Sequence, residues 1–228
     1  MAYGKFAVIG IGQFGSAIAR TLSERGAEVI AIDTSINKIE AIKDDVAHAV
    51  ACDATDKKNL LSQNIEDMDA VIVAIGENFE GLLLCTFNLM ELKVKRIIAR
   101  AMGEEQKSIL QRMGVTEILS PENEVGISVA EKLLNPNVID IMELPDGYEI
   151  AEIKAPINII DRSIEDINLR EKYKLNLVTI IRPSENEDGQ PIQNTIGVPN
   201  AQTTIRANDL LVIFGSMKNI NRFTEINS

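Results

Sequence analysis

Short apolar runs alternate with amphipathic stretches through the first half of the chain. Phe6-Ala7-Val8-Ile9, Val29 to Ile32, Ala47 to Cys52 and Ala70 to Ile75 are continuous rather than period-two, the pattern of strands buried on both faces. Arg96 to Ala99 and Glu117 to Leu119 continue the series. The intervening segments are long enough for crossover helices, so the pattern predicts an α/β domain built on a doubly wound parallel sheet. After the first strand, Phe14, Ile18 and Leu22 form one apolar stripe that ends near Gly26, an ordinary crossover helix. Phe79 to Leu92 has almost no polar face, which predicts burial on most sides. A sheet covers one side only, so the other is expected to meet a second subunit; the alternative is unusual burial within one chain.

Turn formers at Asn135-Pro136-Asn137 close a helix over Val125 to Leu134. The organisation expected is residues 1–136 as the first domain, 137–147 as a linker, and 148–228 as a small α+β domain. That domain would hold strands at Tyr148–Lys154, Leu177–Ile181 and Leu210–Phe214, a polar helical patch, a loop over Pro183–Gly197, and a terminal helix.

The chemistry concentrates after the first strand. Gly10-Ile11-Gly12-Gln13-Phe14-Gly15 follows a strand and opens a helix, the context that gives this glycine spacing meaning. Gly10 permits the tight turn, Gly12 lets a diphosphate approach the backbone, and Gly15 lets helix and strand pack closely. The amides at the helix start face the anion. Asp33 ends the second strand, about 20 residues on, where a carboxylate accepts from ribose hydroxyls and disfavours a 2′-phosphate. The fold class is thus Rossmann-like, and the ligand expected is NAD or an adenosine nucleotide. Asp53 follows the third strand and either lines the pocket or caps the next helix. Gly76 follows the fourth strand, lining the pocket or simply turning the chain.

Composition narrows the function. With 34 acidic against 23 basic side chains the formal charge is -11, which disfavours nucleic acid and anionic membranes as partners. No apolar run is long enough to cross a bilayer, and Met1 to Lys5 lacks the layout of a secretion signal, so a cytoplasmic protein is expected. Cys52 and Cys85 lack metal-ligand spacing and read as small hydrophobes. His48, the sole histidine, is expected in the packed third strand rather than in catalysis. No Walker motif is present, and the small second domain shows no positioned acid or base for hydride transfer.

Taken together, FAVIGIGQFG (Phe6–Gly15), AIDTS (Ala31–Ser35), CDATD (Cys52–Asp56), VIVAIGEN (Val71–Asn78) and SPENEVG (Ser120–Gly126), in that order, resemble the RCK (KTN) family. IIDRSIEDINLREKY (Ile159–Tyr173) and ANDLLVIFGS (Ala207–Ser216) are similar to its C-terminal module. The likeness is to Ktr/Trk-type cytosolic regulatory subunits of potassium uptake systems. It implies a non-enzymatic gating protein that forms dimers and an octameric ring beneath a membrane potassium-translocating subunit, peripheral to the inner face of the membrane. Fold alone leaves two alternatives, an NAD-dependent oxidoreductase and a redox-sensing Rossmann regulator.

The resemblance also implies a nucleotide site, for ATP/ADP or NAD(H), on Gly10, Ile11, Gly12, Gln13, Phe14, Gly15, Asp33, Thr34, Ser35, Asp53, Ala54, Ile75, Gly76, Glu77, Arg100, Ala101 and Gln106. Arg100 would meet phosphate or else form a surface salt bridge. Glu122 corresponds to an acidic position that in related proteins helps hold a divalent cation, Mg or Ca, near the phosphates at the dimer seam; a Glu at a helix start is also favourable on electrostatic grounds alone. Where relatives place an Arg in the glycine turn this chain has Gln13, and a nearby basic position is Gln106. The expectation is a pocket that separates ATP from ADP poorly, or prefers ADP or NAD(H). Some relatives bind cyclic di-AMP in the C-terminal module; here Ile164, Ile167, Asn168, Leu169, Arg170 and Pro199 would form that cleft, or its core.

Overall fold

The computed structural model describes residues 3–186 and 189–228. The chain divides into two compact units, Met1–Glu124 and Val125–Ser228. In the first, β1 (Tyr3–Ile9), α1 (Gln13–Glu24), β2 (Ala27–Asp33), α2 (Ile36–Glu40), β3 (His48–Ala51) and α3 (Lys57–Ser62) precede β4 (Ala70–Val73), α4 (Phe79–Glu91), β5 (Ile97–Arg100), α5 (Glu104–Met113) and β6 (Glu117–Leu119). Helix α6 (Pro121–Leu134) runs from the first unit into the second.

The six strands are parallel in the order β3-β2-β1-β4-β5-β6. Successive side chains point to opposite faces, which produces two cores from one sheet. Ala7, Ile9, Ile30, Ile32, Val71 and Val73 pack with Leu60, Leu82, Cys85, Leu89 and Leu110. Val8, Val29, Ala31 and Ile72 pack on the other face with Ala19, Ile39 and Ile42, flanked by Phe14, Ile18 and Leu22. Strand order reverses between β1 and β4, so their carboxyl ends open a crevice at the switch point.

One expectation changes here. His48 is exposed, not packed, because β3 is an edge strand whose ends are open to solvent. On α4, Gly81, Leu82, Cys85, Thr86 and Leu89 are buried within the unit while Leu84 and Phe87 are exposed. Burial holds the Cys85 thiol up at about 12, and it also raises that of Cys52, so neither thiol is activated.

The second unit carries β7 (Val138–Glu143), β8 (Tyr148–Lys154), α7 (Ile164–Ile167), α8 (Leu169–Tyr173), β9 (Asn176–Glu185), β10 (Pro191–Thr195), β11 (Leu210–Ser216) and α9 (Met217–Asn227). Its antiparallel sheet runs β10-β9-β11-β8-β7. The stretch 137–147 is therefore not a plain linker: Val138–Glu143 pairs with β8 and Val138 is buried. Likewise Pro183–Gly197 is not all loop, since β9 extends to Glu185 and β10 pairs back onto it; residues 187–188 of that stretch lie outside the described residues. Ala151, Ile153, Ile180, Leu211 and Ile213 supply the sheet side of the core, and Ile220 and Phe223 of α9 cover it. Among the described residues no helix is long and apolar enough to cross a membrane.

Candidate functional site

The turn between β1 and α1 depends on two glycines for its shape. Gly10 has φ +94°, and a Cβ there would lie 2.9 Å from the Ile75 amide nitrogen. At Gly15 a Cβ would lie 2.0 Å from the Gly10 carbonyl oxygen, so only glycine lets helix and strand approach this closely. Gly12 differs: a Cβ there meets nothing within 4 Å. Its glycine leaves space open in front of α1. Gly12 is also the N-cap and offers no side-chain acceptor, and the first turn of α1 holds no acid. The leading amides and the helix dipole are directed at that space, an arrangement suited to an anion.

Asp33 is buried at the end of β2. Its carboxylate accepts from the Ile11 amide at 2.7 Å and the Ser35 amide at 2.8 Å, and pairs with Lys38 Nζ at 3.2 Å. The acid thus braces the glycine turn, beside which Thr34 is exposed and Ser35 half-buried. Lys38 was not among the sequence-predicted residues; an acid followed five positions later by a lysine on the next helix was the available signal. Asp53 accepts from the amide and hydroxyl of Thr55 at 2.9 and 2.7 Å, bonds that hold its carboxyl below the usual range. It does not cap α3, whose cap is Asp56, accepting from the Lys58 amide. Ala54 is buried, Ile75 and Gly76 are half-buried at the end of β4, and Glu77 is exposed.

At the end of β5, Arg100 lies with Cζ 5.4 Å from the Phe14 ring centroid. Its guanidinium donates to Glu122 in the first turn of α6. A backbone bond in that turn, and then Arg100, keep the Glu122 carboxyl below its ordinary value. Ala101 is buried, and Gln106 accepts from the Met102 amide at 2.9 Å, closing the turn into α5. Glu122 therefore answers a guanidinium, and among the described residues no three His, Cys, Asp or Glu side chains stand together as metal ligands.

In the second unit, Ile164, Asn168, Leu169, Arg170 and Pro199 line a cavity of about 400 Å³ together with Leu177 and Ala201. Asn168 links α7 to α8 in the left-handed region, φ 52°, which Asn tolerates. Ile167 is not part of the cavity wall; it is 2% exposed and belongs to the core.

The crevice, the open glycine turn and the bracing acid define a Rossmann-type nucleotide-binding domain followed by a small antiparallel module. Residues 6–121 match the model of the TrkA-N domain and residues 148–228 that of the TrkA-C domain, so the chain belongs to the TrkA family, bearing out the resemblance read from its motifs. It is 35% identical over 219 residues to Ktr system potassium uptake proteins C and A of Bacillus subtilis, covering 96% of this chain and 95% of each relative. It is 27% identical over 211 residues to Ktr system potassium uptake protein A of Vibrio alginolyticus, covering 92% of both. In fold it is similar to the GsuK channel, with TM-score 0.67 at 14% identity, covering 100% of this chain and 40% of that one. A structure of the GsuK channel bound to NAD aligns at TM-score 0.52 and 22% identity, covering 97% and 38%.

Proposed function

We propose that this chain is a cytosolic, nucleotide-binding regulatory subunit of a potassium uptake system rather than an enzyme. The observation that carries the reading is its 35% identity over nearly its whole length to Ktr proteins of Bacillus subtilis, combined with a glycine turn whose amides face open space. The ligand is an adenine nucleotide, ATP/ADP or NAD(H), its diphosphate over Gly12 and its ribose beside Asp33. Dimers assembled into a ring would act on a membrane potassium-translocating subunit. A nucleotide gates such a ring only through unequal affinity for two ring shapes, with a coupling of roughly 1–3 kcal/mol.

Gly12→Val tests the pocket. Its Cβ has room in the protein, so the variant should melt like the wild type while its side chain blocks the diphosphate. The expected outcome is at least about tenfold weaker binding of ATP, ADP and NADH by titration calorimetry. In an uptake-deficient bacterium carrying a Ktr membrane subunit, wild type should restore growth at low potassium and the variant should not. Undiminished binding in a folded variant refutes the site.

The cavity in the second unit supports a second ligand reading, a cyclic dinucleotide such as cyclic di-AMP. Ile164, Leu169, Leu177 and Pro199 in its mixed lining would take the bases and Arg170 a phosphate, with Glu165 the one acid beside them. Radiolabelled cyclic di-AMP should be retained by the wild type and lost in Arg170→Ala; no retention by the wild type retires this reading.

A further inference from the structure

Strand order fixes where each part of a bound nucleotide falls. On the reading above, the diphosphate lies over Gly12 at the end of β1 and the ribose beside Asp33 at the end of β2. Strand β3 is the next neighbour on that side, one spacing of about 4.8 Å further on. There the Cys52 amide donates to the Asp33 carbonyl oxygen at 3.0 Å. The base of the same nucleotide therefore reaches the end of β3, where Asp53 is exposed. Asp53 is held in place. Its Oδ1 takes both the amide and the hydroxyl of Thr55, and its carbonyl oxygen accepts from Asn59 Nδ2 at 2.9 Å. Thr55 is in turn fixed from outside the loop: its carbonyl oxygen accepts from Asn88 Nδ2 of α4 at 2.8 Å, across 33 positions of sequence. That helix is anchored by the completely buried Cys85 and Leu89. The other tie between loop and helix, Lys57 with Glu91 at 3.0 Å, joins two exposed side chains and adds little. With Oδ1 engaged, Asp53 Oδ2 has no hydrogen-bond partner among the described residues. The Thr55 bonds keep the carboxyl below its ordinary range, so it is ionised and can only accept.

We propose that Asn88 is a positioning residue of the nucleotide pocket: through Thr55 it holds the Asp53 carboxylate where its remaining oxygen accepts from the exocyclic amine of adenine. The inference rests on the nucleotide-pocket reading above and deepens it. Adenine presents an amine at this edge, whereas a base such as guanine presents a carbonyl oxygen. A fixed carboxylate bonds the first and repels the second, and a placed polar group discriminates more sharply than pocket shape does. Without its anchor on α4, Thr55 lets the carboxylate swing, and reward and penalty fade together. The ribose and diphosphate contacts, made at the ends of β2 and β1, remain.

Titration calorimetry on the whole chain with ADP and inosine diphosphate, which differ only at this edge of the base, tests the proposal. The wild type should bind ADP at least about tenfold more tightly than inosine diphosphate. Asn88→Ala, which favours the helix and should match the wild type by circular dichroism, should lower that ratio about fivefold or more by weakening ADP, with inosine diphosphate changed less than about twofold. Asn88→Asp keeps the side-chain shape but turns an acceptor toward the Thr55 carbonyl, and it should lower the ratio likewise. In an Asp53→Ala background, Asn88→Ala should leave the ratio within about twofold, because its effect runs through Asp53. A ratio unchanged in both single variants overturns the inference, as does a fall that persists without Asp53. An equal loss for the two ligands, or failure of both variants to fold, marks a merely structural residue and overturns it too. If the wild type binds both ligands equally, only this inference falls. If it binds neither, the pocket reading falls and takes this inference with it.

Discussion

Helices α4 and α6 are both apolar in sequence yet differ in what covers them. Helix α4 packs on β4 and β5 with α3 and α5 beside it, and it buries Leu82, Cys85 and Leu89 completely, leaving Leu84 and Phe87 exposed. Helix α6 has no buried residue. Val125, Val129 and Leu133 repeat every four positions along one side of it and are all exposed, as are Ile127 and Leu134, with Leu133 at 76%. The densest greasy segment of the sequence is largely core of its own unit, and the larger uncovered stripe lies on α6. Exposed apolar stripes of this kind favour association, so for the proposed ring α6 joins the exposed Leu84 and Phe87 of α4 as a candidate contact.

The contrast can be broken from the α4 side by Leu89→Ala, which should cost about 2–5 kcal/mol of unfolding free energy because it empties a fully buried site. Urea unfolding is the check, and a loss under about 1 kcal/mol would mean that α4 is not core. From the α6 side the effect on folding should be far smaller. Val129→Glu with Leu133→Glu should change unfolding by no more than about 0.5 kcal/mol, as surface substitutions do, while lowering the sedimentation coefficient toward that of a monomer. Unchanged association at micromolar concentration would return the contact to Leu84 and Phe87, or exclude both helices.

Much of this was legible in the chain itself, for reasons that differ by element. The central strands β1, β2 and β4 are covered on both faces, so they carry unbroken apolar runs. The shape of the glycine turn was equally plain, since the roles of Gly10 and Gly15 follow from backbone geometry that only glycine permits. Strand β7 was hidden because its short run carries the acids Asp140 and Glu143 and sits next to turn formers; its status comes from pairing with β8. Strand β10 is exposed at every position, so nothing but its ladder to β9 marks it as a strand. The Arg100–Glu122 pair joins residues 22 positions apart, and no local pattern encodes such a meeting. His48 misled because an edge strand carries the same letters as a central one.

The bracing of Asp33 has an evolutionary consequence. One carboxylate ties the amide of Ile11 in the first crossover to that of Ser35 in the second, so on the proposed ribose contact sugar preference and loop architecture would be inherited as a single trait. A descendant that drifted toward a different sugar by exchanging this acid would lose the loop in the same step. Variation in ligand taste within such a lineage should therefore accumulate at the far, phosphate-bearing end of the crevice, where Gln13, Gln106 and Glu122 can change without unmaking the turn.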